Sequence, residues 1–328
     1  MGPTVTDVAK AVGVSPSTVS RAMSGGIVSP ATREAVLDAA AKLGYQPNRA
    51  ARALINGRTG NVGLLVPDLE NPYYTEVLKG VSMHLRRTDY HLLLADSDED
   101  TAWEREMLHT LRQSSDGLLI CSPRLADADL VTLADPATTV VLNRIVDSLA
   151  CVTIDPVPGI QQAVQHLAAL GHRHIAYVAG PPGSWSDARR REGLAIAEEL
   201  GVKVDVVQSA TPTFDAGTLA GDLALATGAS GIIAFNDLLA IGMLNRLLSR
   251  GVSVPADVSI IGNDDIAMAS MCAPKLTTIS SPKERIGQSA AATLLRLLKD
   301  RTGASSTPEH ILLPAGLTVR ASTGVAPQ

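Results

Sequence analysis

The stretch 61-NVGLLVPDLENPYYTEVLKGV-81 decides how the larger part of this chain is read. Residues 61–66 form a short, nearly uninterrupted apolar run ended by Pro67, as in a strand buried on both faces. Beyond Pro72, Tyr73, Tyr74, Val77, Leu78 and Val81 recur at helical spacing. A buried strand followed by an amphipathic helix is one half of a βαβ unit. The polar segment between them lies at the carboxyl end of the strand, where open parallel sheets take their ligands.

Outward from this unit the same alternation repeats. Apolar runs "YHLLLA", "GLLIC", "TVVL", "CVTI", "HIAYVAG", "GIIAF", "VSIIG" and "LTTI" read as strands. Helical patterns cover Tyr73–Arg87, Gly159–Leu170, Asp187–Leu200, Asp237–Arg250 and Pro282–Asp300. The class is α/β, doubly wound, and the length accommodates two parallel sheets divided near Asp155.

The residues that follow each strand are polar or aromatic. They are Asp68, Asn71, Tyr73 and Tyr74; Ser122; Asn143 and Arg144; Asp155; the loop 180–190; Asn236 and Asp237; and Asn263, Asp264 and Asp265. The chain has only 2 Phe, 2 Trp and 5 Tyr, yet Tyr73, Tyr74, Trp185, Phe214 and Phe235 fall at or near these ends. Scarce aromatics gathered at one rim with a few orienting polar groups describe a small-molecule cleft. Asn, Asp and Arg beside aromatic rings suit a sugar, and Trp185 suits equally a planar nucleobase.

The first 60 residues are different. They carry 7 Lys and Arg against 3 Asp and Glu, a balance of +4, while the remainder carries 21 against 30, a balance of −9. A basic module ahead of an acidic one is expected where only the first meets a polyanion. "TVTDVAKAVGVSPSTVSRAMSG" breaks into two short helices about Gly13, with Val8, Ala9, Val14, Val19, Ala22 and Met23 inward. Ser15 caps the second, and Pro16 suits its first position. Pro16, Ser17 and Arg21 then face outward near its start, the geometry of a helix-turn-helix reading a major groove. "SPATREAVLDAAAKLGY" repeats the start signal with Ser29 and Pro30, lines up Val36, Leu37, Ala40 and Leu43, and stops at Gly44.

"QPNRAARALINGRTG", residues 46–60, is a short basic helical frame between Pro47 and Gly57, with Arg49, Arg52 and Arg58 and no acidic residue. Isolated helices below about 12–15 residues are marginal in water, so an outside partner must hold it.

Together, "TDVAKAVGVSPSTVSRAMSG", "VSPATREAVLDAAAKLGYQPNRAARAL", "NVGLLVPDLENPYYTEVLKGV", "LGHRHIAYVAGP", "FNDLLAIG" and "VSIIGNDDIAMASMCAPKLTTI" resemble lactose-repressor-type (LacI/GalR) transcription factors over essentially the whole chain. The resemblance implies a three-helix helix-turn-helix domain over 1–46 and a hinge helix and linker over 47–59. It also implies a two-lobed periplasmic-binding-protein-like module. One lobe would comprise 60–155 plus 283–316, with helix 282–300 returning to the first sheet, and the other 156–282 plus 317–328. Against DNA it places Thr6, Ser15, Pro16, Ser17, Thr18, Ser20, Arg21, Asn48, Arg49 and Arg52, with Leu54 wedged in the minor groove by each subunit of a homodimer. Around the effector it places Asp68, Tyr73, Tyr74, Ser122, Asn143, Ser184, Trp185, Ser186, Arg190, Phe214, Asn236 and Asp264.

Other signals are set aside. "MGPTVT" matches a short acylation pattern but runs straight into a helix. "DSDEDTAWEREM" opens like a calcium loop, yet Thr101 stands for the needed glycine and Met107 for the final glutamate. His172 and His174 have no third ligand, and the three cysteines read as reduced core residues. No G-x-S-x-G, phosphate loop or H-E-x-x-H occurs, so neither enzyme nor cofactor is expected. With no apolar run long enough to span a bilayer and no signal-peptide pattern, a cytoplasmic location is expected. The expectation is therefore a homodimeric transcriptional repressor that binds pseudo-palindromic double-stranded DNA under control of a small effector. A transport receptor is the competing reading; inducer and corepressor roles both stay open.

Overall fold

A computed structural model describes residues 2–23, 26–45, 58–209, 211–300 and 307–328. The chain divides into two compact units, Met1–Gly60 and Asn61–Gln328.

The first unit holds α1 (Val5–Val12), α2 (Pro16–Met23) and α3 (Pro30–Leu43). Its boundaries follow from local chemistry. Thr4 and Asp7 form a reciprocal capping box on α1, and Gly13 ends the helix at φ 73°, a left-handed conformation suited to glycine. Ser15 Oγ accepts from the Thr18 amide at 3.2 Å, and Ser29 caps α3 through the Thr32 amide at 3.1 Å. Val8, Ala9, Val19, Ala22, Val36 and Ala40 form the core, with Val14 and Met23 partly buried against it. Leu37 and Leu43, expected inward, are 47% and 41% exposed. On α3 the buried positions are Val36 and Ala40, one turn apart, with Ala39 packed against the core beside them; Leu37 lies off this line, and Leu43 is the last helical residue, one turn beyond Ala40.

The second unit contains two six-stranded sheets. Strands β1 (Asn61–Val66), β2 (His91–Asp96), β3 (Gly117–Cys121), β4 (Thr139–Leu142), β5 (Ala150–Asp155) and β11 (His310–Pro314) make the first, in order β11-β5-β4-β3-β1-β2 and wholly parallel. The second comprises β6 (His174–Ala179), β7 (Lys203–Gln208), β8 (Gly231–Ala234), β9 (Ser259–Asp264), β10 (Thr277–Ser280) and β12 (Gly316–Thr318), in order β12-β10-β9-β8-β6-β7. Its one antiparallel member is β12, paired with β10. Three strands escape the sequence reading: β7, β11 and β12. They are edge strands with mostly half-open or exposed positions, and so lack the continuous apolar signature of their neighbours.

Helices cover both faces of each sheet. On one face of the first, α4 (Pro72–Leu85) and α13 (Lys283–Lys299) pack on Leu64, Leu119, Val140 and Val152; on the other, α5 (Thr101–Ser114) and α6 (Asp127–Leu133) pack on Leu65, Leu118, Ile120 and Val141. The alternation of Leu64 and Leu65 is the two-residue period of a strand buried on both sides. α4 and α13 cross very closely. A Cβ at Gly80 would lie 2.0 Å from the Glu284 carbonyl, and one at Gly287 2.1 Å from that of Val77, so only hydrogen fits at either position.

The second sheet is enclosed by α7 (Val157–Ala169), α8 (Trp185–Gly193) and α9 (Ile196–Glu199) on one side and α10 (Phe214–Ala226) and α11 (Asp237–Ser249) on the other; α12 (Ala267–Met271) follows β9. The single helix expected over Asp187–Leu200 is two. α8 ends where Gly193 meets Ile160, whose Cβ lies 2.8 Å from the place a Gly193 Cβ would occupy, and Leu194 and Ala195 turn with i→i−3 bonds.

Candidate effector cleft and DNA-facing surface

Between the two lobes the strand ends enclose a cleft with about 690 Å³ of atom-free space, part of it continuous with solvent. Its place at the carboxyl ends of the strands is where open parallel sheets take small ligands.

The first lobe builds its wall as a self-satisfied chain of hydrogen bonds. Asn71 caps α4 through the Tyr73 amide at 3.0 Å, which sets Tyr73 and Tyr74 at the helix start. The Tyr73 hydroxyl donates to Asn143 Oδ1 at 2.9 Å, and Asn143 Nδ2 donates to Ser122 Oγ at 3.0 Å. Ser122 and Asn143 have φ of 49° and 60°, left-handed values unusual for residues with side chains. Both end strands and both line the cleft, so strain collects where the side chains are aimed. Arg124 completes this wall. Its guanidinium is committed to both oxygens of Glu99 and to the Ser122 carbonyl, leaving little charge for a ligand.

The second lobe presents the opposite. Arg190, 8% exposed on α8, rests over the Phe235 ring at 4.2 Å. Its nearest carboxylate, Asp264 at the end of β9, is 3.8 Å away. Among the described residues no group accepts from Arg190 Nε or Nη1, though both are buried. Buried guanidinium donors without acceptors cost free energy that an oxygen-bearing ligand recovers. Burial pushes the Asp264 carboxyl up to about 7, with Arg190 opposing the shift and Asp237 adding to it. Asp264 lies at φ 120°, and Asn263 Nδ2 donates to it at 2.7 Å. Asn236 lines the same wall, but its oxygen caps α11 and its amide donates to the Pro212 carbonyl.

Of the residues expected around an effector, Tyr73, Tyr74, Ser122, Asn143, Trp185, Ser186, Arg190, Asn236 and Asp264 line this cleft. Asp68, Ser184 and Phe214 do not. Asp68 turns back to accept from the Glu70 amide at 2.7 Å beside Asp96 and Glu99, and burial raises its carboxyl. Ser184 is spent capping α8 through the Asp187 amide. Phe214 begins α10 with its side chain 39% exposed, and the aromatic wall is supplied instead by Phe235. Sequence reasoning missed Arg124, Pro156 and Ser281. Arg124 stands two residues beyond a strand-end serine. Pro156 and Ser281 sit where the chain passes between sheets, and such crossings adjoin the cleft by construction.

In the first unit, Thr6, Ser15, Pro16, Ser17, Ser20 and Arg21 are exposed and Thr18 is half-buried. Ser15, Ser17 and Thr18 share hydroxyl contacts of 2.8 and 2.9 Å at the start of α2. Asn48, Arg49, Arg52 and Leu54 lie outside the described residues. Among the described residues no His, Cys, Asp and Glu group could hold a metal, and no helix is long and apolar enough to cross a membrane.

A three-helix unit of helix-turn-helix geometry, joined in one chain to a two-lobed ligand-binding module, defines a ligand-responsive DNA-binding protein. Residues 4–48 match bacterial regulatory proteins of the lacI family, and residues 164–323 match the periplasmic binding protein-like domain. The chain is 32% identical to the HTH-type transcriptional regulator DegA of Bacillus subtilis over 98% of both chains, and it belongs to the LacI family of transcriptional regulators. Its fold superposes on a Lac repressor dimer bound to operator and the anti-inducer ONPF with a TM-score of 0.87 at 25% identity, covering 99% of this chain and 100% of that one. A complex of the transcriptional regulator CelR with cellobiose aligns with a TM-score of 0.72 at 30% identity, over 98% and 99% of the two chains.

Proposed function

We propose that this protein is a homodimeric transcriptional repressor whose affinity for a pseudo-palindromic operator is set by a sugar or sugar derivative in the interlobe cleft. The observation that carries the effector half is Arg190. Two buried donors without acceptors among the described residues, a ring beneath them and a carboxyl 3.8 Å away form a site for a polyhydroxylated molecule, with its ring oxygen or a hydroxyl accepting from Arg190 and a hydroxyl donating to Asp264. The cellobiose bound by CelR supports the sugar class.

The DNA half rests on the exposed start of α2. Its hydroxyls and Arg21 suit phosphates and base edges, and two-fold symmetry of a dimer implies two half-sites. By the sequence resemblance, residues 47–59 are the coupling segment, with Asn48, Arg49, Arg52 and Leu54 at the DNA. A ligand that prefers one lobe arrangement shifts operator affinity, and a coupling of about 1–3 kcal/mol changes it 5- to 150-fold. Acting on DNA, the protein works in the cytoplasm, and no catalytic step is assigned to it.

The test is selection of tight binders from a random duplex library, followed by anisotropy titration of the selected site. The expected outcome is a palindromic consensus, a steep salt dependence, and weakening by about 10-fold for Arg21→Ala. Addition of mono- and disaccharides one at a time should identify one that shifts operator affinity. A consensus without symmetry, or no response to sugars but a response to nucleobases, would overturn the corresponding half of the proposal.

A further inference from the structure

Lys283 opens α13, immediately after the chain leaves the second sheet, and its side chain is only 5% exposed. A buried ammonium requires acceptors for its three donors. Lys283 Nζ donates to the Asp264 carbonyl at 2.6 Å and to the Asp265 carbonyl at 2.7 Å, and lies 3.5 Å from Glu76 on α4. These partners belong to different lobes. α13 and Glu76 are fixed to the first by the close crossing at Gly80 and Gly287, whereas Asp264 and Asp265 end a central strand of the second.

The turn that Lys283 grips is strained. Asp264 and Asp265 have φ of 120° and 57°, consecutive positive values on residues with side chains. Within the second lobe, Arg320 holds the Asp265 carboxylate at 2.6 Å. Lys283 adds a hold from the opposite lobe, on the backbone of the residue whose carboxyl faces Arg190 in the cleft.

We propose that Lys283 is a positioning residue of the effector site: anchored on the first lobe, it holds the Asp264–Asp265 turn of the second, so that the cleft carboxyl and the α4–α13 pair move together. Its relevance to the effector rests on the reading of the cleft given above. Ligand engagement at Asp264 is then passed directly to the helix pair that carries Tyr73 and Tyr74 on its first turn, next to Glu76. A local peg, which merely satisfies two carbonyls, would have no such reach.

Hydrogen exchange on the full chain without ligand separates the two. Lys283→Met is expected to raise exchange about tenfold both at residues 264–267 and at residues 76–82 of α4, from loss of charged hydrogen bonds. Glu76→Gln removes the first-lobe ion pair of Lys283 and leaves Asp264 and Asp265 themselves unchanged; it is expected to raise exchange at 264–267 as well, by a smaller factor. It also serves alone should Lys283→Met fail to fold. Changes confined to 264–267 in the first variant, or to α4 in the second, would overturn the proposal. Calorimetric titration with D-ribose and with cellobiose supplies the ligand arm. Lys283→Met should weaken whichever sugar the parent binds by about tenfold, and an unchanged affinity would count against positioning. A parent that binds neither sugar would instead count against the sugar reading of the cleft, leaving the exchange data to decide the interlobe tie.

Discussion

The two walls of the cleft are built from similar residue types and arrive at opposite states. In the first lobe, Tyr73, Asn143 and Ser122 bond to one another and Arg124 is neutralised by Glu99. In the second, Arg190 keeps two buried donors without acceptors among the described residues, and Asp264 is held well above the usual carboxylate range by burial. The first wall is finished before a ligand arrives, and the second is completed by one. Recognition energy should therefore concentrate on the second lobe, while the first supplies shape.

The sharpest way to break this comparison is Arg190→Met. Sugar affinity should fall about 100-fold or more, since two charge-assisted hydrogen bonds are lost, with the melting temperature little changed or raised; calorimetry and thermal melting read the two quantities. Next comes the rigidity of the first wall. Gly287→Ala places a methyl against the Val77 carbonyl and should cost about 2–3 kcal/mol in denaturant unfolding. A loss near zero would mean that α4 and α13 yield easily, and with them the wall.

A smaller effect concerns pH. Because the Asp264 carboxyl is raised to about 7 from 3.8, the folded state binds more protons than the unfolded one between these values. Ligand-free stability is therefore greatest at the acid end of that window and falls as pH rises towards 7. Asp237, raised to about 6 by burial, adds a slope of the same sign. Asp264→Asn should flatten the fall by about 2 kcal/mol and leave the Asp237 part, as followed by unfolding at pH 5 and pH 8. The smallest effect is expected from Tyr73→Phe. It removes a hydroxyl already paired with Asn143, so about 1 kcal/mol of stability is lost and sugar affinity moves by less than tenfold. A larger loss of affinity than for Arg190→Met would invert the comparison.

Much of this was legible in the sequence because the signals are local. Ser15-Pro16 and Ser29-Pro30 mark helix starts, Gly13 and Gly44 mark stops, and the apolar runs mark central strands wherever both faces are buried. Strand ends in a parallel sheet point to one rim, so Tyr73, Ser122, Asn143, Arg190 and Asp264 could be named in advance. Asp68, Ser184 and Phe214 could not be excluded in the same way. Whether a strand-end side chain faces a cleft or folds back on its own turn depends on one rotation about the backbone, as the Asp68 bond to Glu70 illustrates. Edge strand β7 was invisible because its half-exposed pattern carries charge at Lys203 and Asp205.

The chain by itself determined the class: a basic three-helix unit ahead of an acidic, doubly wound module, since charge balance, capping residues and hydrophobic period are properties of neighbours in sequence. Only the tertiary structure decided which polar groups are already spent and which are left for a ligand, and that Lys283 reaches from one lobe into the other. Hydrogen-bond satisfaction and burial are sums over residues far apart in sequence, 70 positions for Tyr73 and Asn143, and no local pattern encodes such sums.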